Sequence, residues 1–404
     1  MGFISYEESI KKLNNIKIET TGIQKLYLND ALKRFLAQDI KAKENSPEYP
    51  TSAMDGYAIR FEDQKSGKIK IIDKNPAGSR IRSEVSEGVC IKTFTGSLMP
   101  KGADTLIPIE NVEVEGEYIV VKEPVKKGFS VRPVGENYKE GEILLKKGSR
   151  LSFAEIGVLA SLNIVQVSVF QKPKVAILAT GSEVLEVGQE RENSAQIRSS
   201  NNYTLEALAA LHGAEPIQMG AVKDDRQSIT DSLKTALKSA DIVVTTGGVS
   251  VGDYDFVKDV IRDEIGAEVI FKGVVMKPGQ HVMVAVKGNK IIIGLPGFAF
   301  SSTVTFMVYV LPLIYRMQGA EFRPKIVKAT LKENFTKKSR KTEFTACNLY
   351  LEEGEYFVDF KGKREGSSAI LTNMTGEHTA LLATSPDEGD KEAGEKVRVW
   401  IINS

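Results

Sequence analysis

Four short stretches of this chain place glycines, hydroxyls and charges where buried apolar runs stop. ILATGSEV (residues 177–184) ends in Gly181, Ser182 and Glu183, and VVTTGGVSVGDYD (243–255) supplies Gly247, Gly248, Ser250, Gly252, Asp253 and Asp255. VVMKPGQH (274–281) carries Lys277, and IIGLPGFAFSS (292–302) carries Pro296, Gly297 and Ser301. Glycine allows a ligand close to the backbone. Exposed N–H groups at helix starts attract anions. Lys277 adds a full positive charge, and Ser250 and Ser301 can donate hydroxyls. The carboxylates of Asp253 and Asp255 cannot receive an anion directly. They make sense if a hard divalent cation such as Mg²⁺ bridges them to phosphate oxygens. The chemistry indicated is capture of a phosphorylated or oxyanionic ligand.

Each stretch also has an ordinary explanation. Gly-Gly after a strand is often a tight turn. Asp224 and Asp255 sit where helix N-caps belong. Asp55-Gly56 is a standard hairpin-turn pair, and Arg132 in SVRPVGENYKEG reads either as a solvated arginine or as a partner for phosphate. Four such loops on one sheet edge are harder to dismiss. None has the Walker spacing, and no GxGxxG is followed by an acid.

The elements that must carry these loops are legible from residue 174 on. KVAILAT, PIQMGAV, DIVVTT, EVIFKGVVM and KIIIGL read as strands. NNYTLEALAALHG, DDRQSITDSLKTALKSA and DFVKDVIRDEIG read as helices, and a long helix starts near Phe298. Apolar strands alternating with amphipathic helices indicate a doubly wound parallel sheet, whose ligands bind beyond the strand carboxyl ends. Before it, residues 41–141 have β-rich texture, and after about residue 322 that texture returns. Residues 1–40, including LYLNDALKRFLAQDI, and AEIGVLASLNI (154–164) have helical spacing. Ser5 and Glu8 fit a capping box. The fold class expected is multi-domain α/β plus β, in four regions. These are a small helical linker domain (1–40 with 142–172), a β-rich domain (41–141), a doubly wound α/β domain (173–322) and a C-terminal β-barrel-like domain (323–404).

Composition narrows the function. Among 404 residues, Lys and Arg number 54 against 53 Asp and Glu, so no large basic surface for nucleic acid or anionic membrane is expected. Two cysteines, Cys90 and Cys347, lack metal-ligand spacing and imply no disulfide framework. The first residues carry acids where a signal peptide needs an apolar core. STVTFMVYVLPLIY (302–315) is too short to span a bilayer and reads as a buried helix. The chain is read as cytoplasmic.

Taken together, LNDALKRFLAQDI, SAMDGYA, CIKTFTGSLMPKGAD, VRPVGEN, ATGSEV, TTGGVSVGDYD, MKPG, GLPG and TEF, in this order over nearly the whole chain, resemble the MoeA-type molybdopterin molybdenumtransferases, which include the E domain of gephyrin. The resemblance implies a four-domain subunit with a MogA-like α/β domain. It implies an elongated homodimer whose active site joins the α/β domain of one subunit to the β-rich domain of the other. It implies insertion of molybdenum from molybdate into adenylylated molybdopterin, with release of AMP and help from Mg²⁺ or another divalent cation. A MogA-type adenylyltransferase and cofactor-receiving enzymes are the implied partners. By the same resemblance Asp55, Asp224 and Asp255 are functional acids, with Glu183 and Asp253 as further metal candidates. Thr95, Gly96 and Ser97 look like cofactor contacts across the dimer. Lys277, Ser301 and Ser368 look like the oxyanion pocket, completed by Lys341 or Arg340.

Several positions depart from the family pattern. Asn137 stands where the family usually has Asp, Ser199 begins what is usually Asp-Thr-Asn, Gln280 replaces a lysine, and Phe298-Ala299 replaces Asn-Pro. Lys341 stands where Arg is usual and cannot offer its bidentate fork. Two carboxylates and one positive charge are thereby lost. Weaker cation binding, a pocket retuned toward tungstate and a pterin-binding scaffold without turnover are the competing consequences. A generic nucleotide-phosphate enzyme is the reading that remains without the resemblance.

Overall fold

The computed structural model describes residues 2–79, 82–248, 256–365 and 368–402. The chain forms two compact units. One comprises Met1–Ala37, Gly148–Ser152 and Gln166–Ser404, the other Gln38–Lys147 and Phe153–Val165.

The first unit contains the expected doubly wound sheet. Its strands are β1 (Lys174–Thr180), β2 (Glu215–Val222), β3 (Ile242–Thr246), β4 (Glu268–Lys272), β5 (Met283–Lys287) and β6 (Lys290–Leu295). They lie in the order β2-β1-β3-β6-β5-β4. Helices α1 (Ser200–Leu211) and α2 (Arg226–Ser239) make the crossovers around β2. The strands are apolar throughout because both faces are covered. Val175, Ile177, Val244 and Ile293 face one core, and Ala176, Leu178, Val243 and Ile292 the other. The sheet is mixed rather than parallel throughout: β5 runs antiparallel to both β4 and β6. Sequence reading passed over β5, although HVMVAVKGNK alternates and then turns at Gly288-Asn289, a hairpin signal.

Helix α3 (Ala299–Met317) follows β6 and is long and apolar enough to cross a membrane, but 83% of it is buried in the core. A π-helical stretch, Phe306–Val310, precedes Pro312. Such a bulge accommodates the i−4 carbonyl that proline leaves without a donor.

The C-terminal strands of this unit close on themselves. Thr342–Glu352 pairs with Glu355–Asp359 on one side and Thr379–Thr384 on the other. Lys325–Leu331 and Lys396–Ile401 complete the ring. Met276–Lys277 adds to it in parallel, setting Lys277 beside Glu343.

The amino-terminal helix Tyr6–Asn15 is capped by Ser5, whose Oγ accepts from Glu8 N–H at 3.0 Å. The expected helix over LYLNDALKRFLAQDI does not form. Ile23–Tyr27 is a strand paired with Gln166–Phe170, followed by a single 3₁₀ turn. Lys33 adopts φ +65°, and Lys33 and Leu36 donate to Leu151 O and Ser149 O. Tertiary pairing overrides the helical spacing: the periodic Ala31, Phe35, Leu36 and Ala37 are buried from a winding extended segment.

The second unit is a six-stranded sheet in the order Thr105–Pro108, Gly56–Ile59, Val89–Thr93, Ile69–Asn75, Tyr118–Val121, Val112–Glu115. Tyr57, Ile59, Ile69, Cys90, Ile107 and Ile119 form its core. Gly56 begins a strand rather than completing a hairpin turn. A Cβ there would lie 2.3 Å from Ile107 O, so close strand approach demands the glycine. The helix expected at 154–164 is present as Phe153–Ser161.

Candidate active site

Strand order reverses between β1 and β3, because one crossover leads outward to β2 and the next returns to β3. At this switch point a cavity of about 580 Å³ opens beyond the strand ends. Glu183, Asp224, Gly247, Gly248, Gly297 and Phe298 are among the residues that line it. The glycine requirement is steric. Gly247 and Gly248 have φ of +92° and +65°, and added Cβ atoms would meet Thr180 O at 2.7 Å and Val257 Cγ2 at 2.4 Å. A Cβ on Gly297 would come within 3.6 Å of Gly247 Cα, so two bare loops run side by side. Asn201 Nδ2 anchors the second loop by donating to Gly297 O at 2.7 Å.

Ser182 and Asp224 are tied reciprocally. Ser182 N–H donates to Asp224 Oδ2 at 3.2 Å, and Asp224 N–H to Ser182 Oγ at 3.4 Å. Asp224 is therefore not the cap of α2. That cap is Asp225, which accepts from Ser228 N–H at 2.8 Å. Hydrogen bonds from the Ser228 side chain and backbone hold the Asp225 carboxyl below the usual range. The Glu183 carboxylate folds toward Gly181, where a Cβ would lie 2.8 Å from either oxygen. Ser250, Gly252, Asp253 and Asp255 lie outside the described residues.

Two hydroxyls of this cavity are unspent. Thr246 and Ser199 are 2% and 3% exposed, and among the described residues neither hydroxyl oxygen has a hydrogen-bond partner. The carboxylates of Glu183 and Asp224 are hard oxygen donors. They fit Mg²⁺, which takes one or two carboxylates and completes its shell with water and substrate phosphate. No group of three His, Cys, Asp or Glu that could hold a metal occurs among the described residues.

A second cavity of about 220 Å³ is lined by Lys277, Lys338, Glu343, Arg364 and Ser368, among others. Ser301 adjoins it: its N–H donates to Ser368 O at 3.1 Å. The expected oxyanion residues Lys277, Ser301 and Ser368 are thus brought together. Lys341 is not among the lining residues; its Nζ donates to Gln280 Oε1. Arg340 is exposed and does not line the cavity either. Sequence reading missed Glu343, whose side chain is 5% exposed and which accepts from Lys277 Nζ at 2.9 Å and Ser339 Oγ at 3.0 Å. Its only sequence signal is its place in TEF.

In the second unit, Asp55 Oδ1 accepts from Thr95 N–H at 2.8 Å and Thr95 Oγ1 at 2.7 Å. These bonds hold the carboxyl below the usual range. Gly96 turns the loop at φ +78°, and Ser97 is 1% exposed and donates to Asn75 O at 2.8 Å. Ser97 therefore braces the loop rather than presenting its hydroxyl. Arg132 pairs with Glu136, and Asn137 Nδ2 faces Ser46 Oγ at 3.5 Å.

A doubly wound sheet with a glycine-floored cavity at its switch point defines the class of α/β protein whose ligands bind beyond the strand carboxyl ends. Comparison with known proteins narrows the class. Residues 4–163 match the MoeA N-terminal region (domain I and II), and residues 176–316 match a probable molybdopterin binding domain. The molybdopterin molybdenumtransferase of Staphylococcus aureus strain Mu50 is 36% identical over 356 residues, covering 86% of this chain and 84% of that protein. That of Nostoc sp. is 34% identical over 364 residues, covering 87% and 82%. The crystal structure of a molybdopterin biosynthesis MoeA protein from Pyrococcus horikoshii OT3 superimposes with a TM-score of 0.85 at 31% identity, over 99% of this chain and 100% of that one. The chain belongs to the MoeA family of molybdopterin molybdenumtransferases.

Proposed function

We propose that this chain acts in molybdenum cofactor biosynthesis by transferring molybdenum from molybdate into adenylylated molybdopterin, with release of AMP. One observation carries the reading: two cavities in one compact unit, one floored by glycines that no side chain could replace, the other lined by Lys277 and Ser368 with Ser301 adjoining. The first suits a phosphorylated, hydrogen-bonding pterin nucleotide, the second a tetrahedral oxyanion.

The roles follow from the chemistry. The Gly247, Gly248 and Gly297 backbone admits the phosphates closely. Lys277, Ser301 and Ser368 offer charge and donors to molybdate. Glu183 and Asp224 would hold a Mg²⁺ ion. Bound there, Mg²⁺ would neutralise phosphate charge as the link to adenylate breaks. Asp55, set by Thr95, belongs to the site contributed by a partner copy in a homodimer. A cytoplasmic location, a MogA-type supplier of the adenylylated pterin and acceptor apoenzymes are parts of the same proposal.

The test is AMP release from adenylylated molybdopterin by the purified chain. Release that rises with molybdate and with Mg²⁺ supports the proposal. A rate equal to the protein-free control, with molybdate or tungstate and any divalent cation, overturns it.

A further inference from the structure

Four cationic and three carboxylate side chains line the smaller cavity. An oxyanion there can use only the cations that the protein has not already engaged. Lys277 Nζ is held by the buried Glu343 at 2.9 Å, so that pair brings no net charge. Lys363 is fully engaged. An ammonium has three donors, and here they meet Asn373 O at 2.9 Å, Thr375 O at 3.1 Å and Thr379 Oγ1 at 2.7 Å. Lys338 lies 3.3 Å from Glu365 in an exposed pair, an arrangement that holds neither partner firmly. The third carboxylate, Glu333, accepts from Phe360 N–H at 2.8 Å. Arg364 lines the same cavity and has neither an ion pair nor a side-chain hydrogen bond among the described residues. Its backbone, by contrast, is fixed. Arg364 N–H donates to Asn373 Oδ1 at 2.8 Å, and Asn373 Nδ2 donates to Arg364 O at 2.8 Å. Asn373 is itself 9% exposed, and the Lys363 ammonium holds its carbonyl.

Resting on the function proposed above, we infer that Arg364 is the specificity-determining cation of the oxyanion cavity and that Asn373 is its positioning residue. Molybdate is a dianion. The Lys277–Glu343 pair can offer it donors but no excess positive charge, and Arg364 supplies that excess. A guanidinium presents two parallel N–H groups to two oxygens of one anion and stays charged at any working pH. The cations nearest in sequence to Glu343 do not compete: Lys341 is turned to Gln280, and Arg340 does not line the cavity. The charge missing at Gln280 and withdrawn at Lys341 is thus restored from a different connection, the turn that follows the strand Glu355–Asp359.

The test is calorimetry of the full chain with sodium molybdate, paired with AMP-release kinetics. Arg364→Ala weakens molybdate binding at least about tenfold, as loss of charge-assisted bonds does. Arg364→Lys recovers part of it, because the charge returns without the fork. Lys338→Ala changes it by less than about threefold. Asn373→Ala weakens binding in the wild-type background but not further in the Arg364→Ala background, a coupling that a merely structural asparagine would lack. In AMP release, Arg364→Ala raises the KM for molybdate and leaves the KM for the adenylylated pterin near wild type. The inference is overturned if Arg364→Ala binds molybdate as tightly as wild type, if Lys338→Ala loses as much, or if the wild-type chain binds no molybdate. Additive losses from Arg364→Ala and Asn373→Ala overturn the positioning role. A wild-type chain that binds molybdate through Arg364 yet releases no AMP sinks the insertase reading and leaves the anion subsite standing.

Discussion

Asp55 and Thr95, forty positions apart, are locked together: both donors of Thr95, N–H and Oγ1, meet the single oxygen Oδ1 of Asp55. Among the described residues Oδ2 takes no such bond, so the aspartate is oriented at one end and available at the other. The backbone bond from Thr95 is the larger cause of its lowered titration, followed by the hydroxyl.

Thr95→Val removes one of those donors. A carboxyl whose folded pKa is depressed adds stability above its ordinary value of about 3.9, lost as pH falls through the folded pKa. The variant moves the Asp55 midpoint upward, toward the ordinary value, in carboxyl-carbon NMR. An unchanged midpoint would show that the hydroxyl contributes nothing.

Lys277 and Glu343 form the next testable pair. Lys277→Ala leaves a 5%-exposed carboxylate without its cation. We expect a loss of about 1–3 kcal/mol by chemical denaturation. Lys277→Ala combined with Glu343→Gln recovers most of that stability but not turnover, because the ammonium stays missing. Equal loss in both variants would refute the pairing argument.

The adjacent acids Asp224 and Asp225 separate function from capping. Asp225→Ala lowers the melting temperature by removing the cap of α2, with normal AMP release per folded molecule. Asp224→Asn leaves the melting temperature near wild type and lowers AMP release at least about tenfold. A reversed pattern would return Asp224 to a purely structural role.

Gly56→Ala forces a Cβ against Ile107 O. Overpacking of this kind costs about 1–3 kcal/mol, read as a drop in the denaturation midpoint of the full chain. A neutral result would show that the strand edge yields.

If two copies share each site, Asp55→Asn and Asp224→Asn complement. Each variant alone keeps only a small fraction of wild-type activity. Refolded as an equal mixture, they regain about a quarter of wild-type activity, since half the dimers carry one intact site of two. No recovery in the mixture would place both acids in one subunit's site.

What the sequence made legible was the part governed by local pattern. The run from KVAILAT to KIIIGL reads as β/α alternation because strands buried on both faces must be apolar along their length. Its loops could be assigned because glycine, lysine and aspartate at strand ends are unusual in a buried segment. What escaped depended on distant partners. Phe35 and Leu36 keep helical spacing but pair with residues near 150 and 169. Glu343 reads as an ordinary strand glutamate until Lys277 arrives from the neighbouring strand. Ser97 looked like a ligand contact, and only its bond to Asn75 O shows that it braces the loop.

The most direct measurement is a single-turnover reaction of the purified chain with adenylylated molybdopterin, molybdate and Mg²⁺, scoring AMP released and molybdenum retained on the pterin. The account predicts equal amounts of the two, rising together with time. AMP without pterin-bound molybdenum would mark simple hydrolysis, and neither product above the protein-free control would contradict the account outright.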